Sequence, residues 1–168
     1  SVNVSRMSLA QGDFLDRYSS IRDKYGVAAG LLELECTETI VIRNFGLFRE
    51  IMAALPSHGF RSAMDDFGTG YSSLNMLKEI VLDVLKLDIA FFRDTEGTPR
   101  ERAVVESIVK MAHALGMATV AEGVEKEEQV GFLRSIGCNA IQGYVFSKPV
   151  PLELFEPVEA SFTPRHIG

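Results

Sequence analysis

Residues Ser62 to Lys86, SAMDDFGTGYSSLNMLKEIVLDVLK, hold one complete structural unit. An apolar run ends in two aspartates, a turn rich in glycine and serine follows, and a short helix-like stretch leads to a second apolar run ending in a lysine. The same ending recurs on both sides. Apolar runs also stop at Asn3 (SVN), Glu35 (LLELE), Glu122 (ATVAE) and Gln142 (AIQ), so six runs end on residues suited to metal or phosphate chemistry. Successive ends lie about 20 to 36 residues apart, and the longer gaps read as helices. Strand, helix, strand at that pace predicts an α/β fold with a parallel sheet or a (β/α)8 barrel. In such folds the carboxyl ends of the strands line one face, and chemistry is built there. Acid or amide groups at five of these ends and a lysine at the sixth predict a hydrolytic metal site.

The segments between the runs have recognisable helix signals. Thr98-Pro99-Arg100-Glu101 opens one, with Thr98 as N-cap, Pro99 in the first turn and Glu101 completing a capping box. Val104, Val105, Ile108, Met111, Ala112 and Leu115 recur at steps suited to a buried stripe, and Gly116 ends it. Val130, Leu133 and Ile136 mark a helix between Lys126 and Gly137. Phe45, Phe48, Met52 and Leu55 mark another between Asn44 and Pro56, and Phe14, Tyr18 and Ile21 one between Ser8 and Tyr25. These aromatic and methionine stripes are expected to be core faces. Residues 1–156 are expected to form the domain and 157–168 a fraying tail. A closed barrel of this type has eight strands. With SVNVS already a strand at the start, the expectation is a barrel with about six β/α units in this chain and its early strands missing.

Composition narrows the function. The chain of 168 residues is 46% apolar and 24% charged, ordinary for a globular domain. A net charge of −6 gives no broad basic surface for DNA or RNA, but metal ions can still bring a phosphate-bearing ligand to an acidic rim. No apolar stretch reaches the roughly 18 residues of a membrane span and no signal peptide opens the chain, so a cytoplasmic domain without membrane contact is expected. Cys36 and Cys138 lie in apolar strand-like surroundings and are expected to be reduced packing residues. His58, His113 and His166 lie away from every predicted strand end.

In LLELECTE, alternation puts Glu33, Glu35 and Thr37 on one strand face, with Glu38 beyond the strand end. An acid inside an apolar strand is costly to bury unless paired or bound to a cation. Asp65 and Asp66 would face opposite ways in a regular strand, so the strand is expected to end there, with Gly68 and Gly70 allowing a sharp turn. Adjacent aspartates at a strand end can bridge two divalent ions roughly 4 Å apart, as in two-metal phosphodiester hydrolysis. Carboxylate and amide oxygens suit Mg2+ or Mn2+ better than zinc. Lys86 and Asp88 share a face. The lysine either holds a water or phosphate oxygen beside the metals, or pairs with Asp88, Glu35 or Glu122, and the two readings are compatible. Glu122, Glu125 and Gln142 complete the rim, with Gly123 and Gly143 letting a ligand approach the backbone.

The motifs LELECTE, DDFGTGYSS, LKLD, AEGVE and QGYVFSKP, in this order and spacing, resemble the EAL-type cyclic-di-GMP phosphodiesterase domain. The likeness runs from residue 1 to about Phe155. It implies a (β/α)8 barrel that opens cyclic di-GMP to linear pGpG with two Mg2+ or Mn2+ ions. By the same resemblance Asn3, Glu35, Asp65, Asp66 and Glu122 are metal ligands, with Asp65 bridging. Lys86 contacts the attacking water, Glu122 assists as base, and Gln142 and Asp88 contact ligand or the groups behind it. Glu38 braces the loop holding Gly68, Thr69 and Gly70. The family also implies a homodimer and a fused sensor or cyclase domain upstream. Two features depart from the pattern. The Glu-Ala-Leu motif and its nearby phosphate-holding arginine are absent from these residues, and Ile89-Ala90 replace the more polar residues usual after LKLD. The alternative is a degenerate domain that senses cyclic di-GMP without cleaving it; such members usually lose the aspartate pair, the lysine or the AEG glutamate, all kept here.

Overall fold

A computed structural model of the chain describes residues 1–38, 40, 45–68, 74–88, 98–151 and 153–155. Six strands form one sheet: β1 (Val2–Asn3), β2 (Leu32–Thr37), β3 (Phe60–Phe67), β4 (Val84–Asp88), β5 (Ala118–Glu122) and β6 (Ala140–Ile141). Helices α1 (Arg6–Leu9) and α2 (Phe14–Lys24) precede β2, and α3 (Phe45–Ala54) with a 3-10 turn (Leu55–His58) precedes β3. Then come α4 (Leu74–Glu79) before β4, α5 (Pro99–Ala114) before β5, and α6 (Glu127–Ser135) before β6.

Every neighbouring pair of strands is parallel, and the order across the sheet is β1-β2-β3-β4-β5-β6. A doubly wound sheet reverses its strand order part-way. This one never does, so successive right-handed crossovers place the helices on one face and curl the sheet as in a (β/α)8 barrel. The helix-facing side of the strands carries Leu34, Cys36, Phe60, Met64, Leu85, Leu87 and Ala121, all buried. Phe48, Met52, Leu55, Val105, Val109, Ala112, Val130 and Leu133 close over it from the helices and the 3-10 turn.

The helix ends follow their local chemistry. Thr98 Oγ1 accepts from Glu101 N at 3.2 Å, and Glu101 Oε2 accepts from Thr98 N at 2.6 Å, the reciprocal capping box. Gly116 closes the segment after α5 at a φ of 80°. Three expectations need correction. The helix marked by Phe14 is preceded by a separate turn of helix, α1, capped by Ser5. Ile21 is 50% exposed, so only Phe14 and Tyr18 of that stripe pack inward. In α5 the buried line runs through Val105, Val109 and Ala112, leaving Val104 and Leu115 exposed. Val104 is one residue, about 100°, off that line, and Leu115 lies past the last turn.

The strand β3 does not end at the aspartates. Met64 pairs with Leu85 and Phe67 with Leu87, so three steps on β3 oppose two on β4, a β-bulge. Asp66 takes up the extra residue at a φ of 56°, the left-handed region that aspartate tolerates better than most side chains. The bulge returns Phe67 to the buried helix-facing side. The registry of β3 on β4 is pinned below it: Ser62 N and Oγ donate to Asp83 Oδ2 at 2.7 and 2.9 Å. Thr69 and Gly70, Ile89 and Ala90, His166 and the proposed tail lie outside the described residues.

Candidate functional site

Strand pairing brings the predicted residues to one rim. Asn3 lies opposite Glu35, Thr37 opposite Asp65, and Asp88 opposite Glu122. Alternation then puts Asn3, Glu35, Thr37, Lys86, Asp88 and Glu122 on the side away from the helices. Thr37 and Asp88 are the last residues of β2 and β4, so Glu35 and Lys86 sit two residues inside the strands. That depth explains why both are buried, at 4% and 7% exposure.

Lys86 stands at the centre. Its Nζ lies 2.8 Å from Glu35 Oε1, 2.7 Å from Glu122 Oε1 and 3.6 Å from Asp65 Oδ1. Burial alone would discourage its charge, but the hydrogen bonds to Glu122 and Glu35 outweigh that and hold the ammonium above the usual lysine range. Burial also pushes the Glu35 carboxyl up, and hydrogen bonds from Lys86 and Ser1 bring it below the ordinary value. Glu122 ends on the other side: burial, with Asp65 and Glu35 nearby, raises its carboxyl despite Lys86. Asp66 is raised too, by burial and then by Asp65 and Asp88. Glu35, Asp65 and Glu122 thus surround one ammonium, and Asp66 lies near enough to Asp65 and Asp88 to feel their charge.

The segment after the aspartates is braced. Asp66 N donates to Asp65 Oδ1 at 2.9 Å, and Gly68 N donates to Glu38 Oε2 at 3.2 Å. Glu38 is itself buried at the end of β2. Gly68 has a φ of 96°.

At the ends of β5 and β6 the expected role of one glycine changes. A Cβ on Gly143 would collide with the backbone of Val124. The space beside Gly143 is filled by the chain after β5, so its missing side chain admits protein backbone rather than a ligand. Val124 N donates to Gln142 O at 3.1 Å, and Val145 N to Val124 O at 3.0 Å. Gly123 turns the chain at a φ of 72°. A cleft of about 760 Å³ opens beside these residues, lined by Gly123, Gln142, Tyr144, Phe146, Lys148 and Phe155 among others. Tyr144 and Phe146 remain substantially exposed within it, and the Lys148 ammonium lies 5.5 Å from the Tyr144 ring centroid. His58 and His113 stay away from the rim. His58 contacts Ala54 O, and His113 Nε2 contacts Asn139 Oδ1 before β6.

Residues 1–149 match the family model described as the EAL domain. The chain belongs to the EAL domain family. It is 38% identical over 156 residues to the cyclic di-GMP phosphodiesterase NbdA of Pseudomonas aeruginosa, covering 93% of this chain and 20% of that protein. The chain therefore spans about a fifth of the length of that relative. Among solved structures, the EAL domain of Mycobacterium smegmatis DcpA is similar at a TM-score of 0.87 and 34% identity, covering 96% of this chain and 73% of that one. Klebsiella pneumoniae BlrP1, in a complex with manganese and cyclic di-GMP, is similar at 0.82 and 36%, covering 88% of this chain and 38% of that one.

The residues of this EAL domain fit a divalent cation in kind. The donor set is all oxygen, which suits Mg2+ or Mn2+, and its negative charge exceeds what one ammonium balances. Glu35 Oε1 is buried with the Lys86 ammonium 2.8 Å away. Among the described residues no three acidic, histidine or cysteine groups form a ready-made cage; the Lys86 ammonium lies among the carboxylates. Tyr144, Phe146 and Lys148 line the cleft and are not among the predicted site residues. Their signal in the sequence is a pair of aromatic residues two apart, with a serine and a lysine after them, in QGYVFSKP directly after a strand end.

Proposed function

We propose that this EAL domain hydrolyses cyclic di-GMP to linear pGpG in a reaction dependent on two Mg2+ or Mn2+ ions. The observation that carries the reading is Lys86, held charged between Glu35, Glu122 and Asp65 beside a bulge that presents Asp66. Support also comes from relatives named cyclic di-GMP phosphodiesterase and a neighbour complexed with manganese and cyclic di-GMP. Asn3, Glu35, Asp65, Asp66 and Glu122 would hold the ions. When bound, such ions lower the pKa of a water and neutralise charge developing on the phosphate.

The protein's own residues supply the remaining steps. The Lys86 ammonium, which carries several donors, donates to the oxygen of the attacking water and orients it. Glu122, whose carboxyl is raised by burial, accepts that water's proton at Oε1. The water oxygen bonds to phosphorus as the P–O3′ bond breaks, and the departing oxygen takes a proton from solvent to become the free 3′-hydroxyl, Glu122 returning its own proton to solvent. Gln142 and the cleft beside Tyr144 and Phe146 hold the base, whose flat face suits an exposed ring. In the same reading the domain acts as a homodimer, in the cytoplasm, within a longer signalling protein that carries a sensor or cyclase domain upstream.

The test uses the intact parent protein with cyclic di-GMP and Mg2+ or Mn2+, following pGpG by chromatography. Turnover is expected with metal and none with EDTA. Lys86→Met is expected to cut turnover at least about a hundredfold while ligand affinity stays within a few-fold. Binding of cyclic di-GMP with no pGpG formed under either metal would replace the enzyme with a sensor.

A further inference from the structure

The turn that carries Glu122 away from β5 is held by a residue outside the rim. Gln129 sits in the first turn of α6, and its Oε1 accepts from both Glu125 N and Lys126 N at 3.0 Å. A side chain at that position satisfies backbone donors that the helix itself leaves open. Three residues upstream of Lys126, Gly123 turns at a φ of 72°. Between them Val124, fully buried, is locked from the other side by Gln142 O and Val145 N. Glu122 is therefore followed by a short turn with two anchors: the start of β6's exit loop, and the Gln129 carbonyl.

We propose that Gln129 is a positioning residue for Glu122, setting through residues 123–126 where the Glu122 carboxylate stands relative to Lys86 and the metal site. The proposal rests on the reading of Glu122 as a metal ligand. Gln129 touches no reacting group, and only its acceptor oxygen is used. Gln129→Met keeps the length and removes the acceptor, freeing two N–H groups and loosening the turn. Gln129→Glu keeps an acceptor in a place where a carboxylate is favoured by the helix dipole. A purely structural cap predicts a lower melting temperature for the methionine variant and unchanged site chemistry well below that temperature.

The experiment measures Mn2+ affinity of the intact protein by calorimetry without substrate, together with kcat and KM for cyclic di-GMP and Tm. Gln129→Met is expected to weaken Mn2+ binding and lower kcat by roughly tenfold or more, the usual scale for groups that orient a ligand, with KM within about twofold. Gln129→Glu is expected to restore both. If the parent binds Mn2+ and Gln129→Met binds it equally well, Gln129 is only a cap and the proposal is overturned. The same holds if Gln129→Glu is as impaired as the methionine variant. If the parent itself binds no Mn2+, the metal reading fails, and the proposal with it. Should Gln129→Met not fold, Gln129→Ser, which is too short to reach both amides, is read by the same measurements.

Discussion

Asp66 combines two demands that a single side chain rarely meets. Its backbone must occupy the left-handed region, at a φ of 56°, and its carboxylate must join the rim. The two are separable by substitution. Asn also tolerates this conformation, so Asp66→Asn is expected to keep the melting temperature within about 2 °C while Mn2+ binding falls roughly tenfold or more. A β-branched residue is strained there, and Asp66→Val is expected to cost about 1 to 3 kcal/mol of stability. Denaturant unfolding in EDTA reads the stability and calorimetry with Mn2+ reads the site. Equal destabilisation by both substitutions would mean that the bulge is not the source of the constraint.

Elements meet at the rim through backbone as much as through side chains. The chain leaving β5 passes so close to the chain leaving β6 that Gly143 has no room for a Cβ against Val124. Gly143→Ala must push the two segments apart and weaken the Val124–Gln142 and Val145–Val124 hydrogen bonds. The expected cost is about 1 to 3 kcal/mol, as for overpacking elsewhere, read as a lower midpoint in urea with an unchanged slope. An unchanged midpoint would show that the contact relaxes freely. Ser62 and Asp83 do for β3 and β4 what this contact does for β5 and β6: one carboxylate, accepting from a strand amide and a hydroxyl, fixes how the strands slide.

As a whole, the described sheet is open, with β1 and β6 as its two edges. Both are short, two residues each, but their outer backbone groups still offer a template for pairing. The 168-residue chain alone is expected to self-associate with rising concentration, seen by sedimentation velocity as species larger than a monomer. A monomeric, cooperatively melting chain would show that these edges are covered in another way. Among the described residues no helix is long and apolar enough to cross a membrane.

Much of this was legible in the order of residues. Parallel strands place their carboxyl ends together, so apolar runs closing on Glu35, Asp65, Lys86 and Glu122 already named one rim, and alternation put Lys86 and Asp88 on the same face. The Thr98–Glu101 box and the Val130–Leu133 stripe are local, set by spacing alone, and the structure shows them. The rest depended on contacts between distant parts of the chain. Asp65 and Asp66 reach the rim together because β4 forces a bulge that buries Phe67 beside Leu87, and no pattern within MDDF states what lies across from it. Lys86 takes Glu35 and Glu122 as its near partners because β2 and β5 bring carboxylates to its depth from far along the chain. Gly143 reads in the sequence as an opening for a ligand, and in the fold the Val124 backbone fills that space. Sequence sets which residues face the same way and where helices begin. Which of them touch is decided by packing, since a close approach depends on the backbone of another segment and leaves no local periodicity.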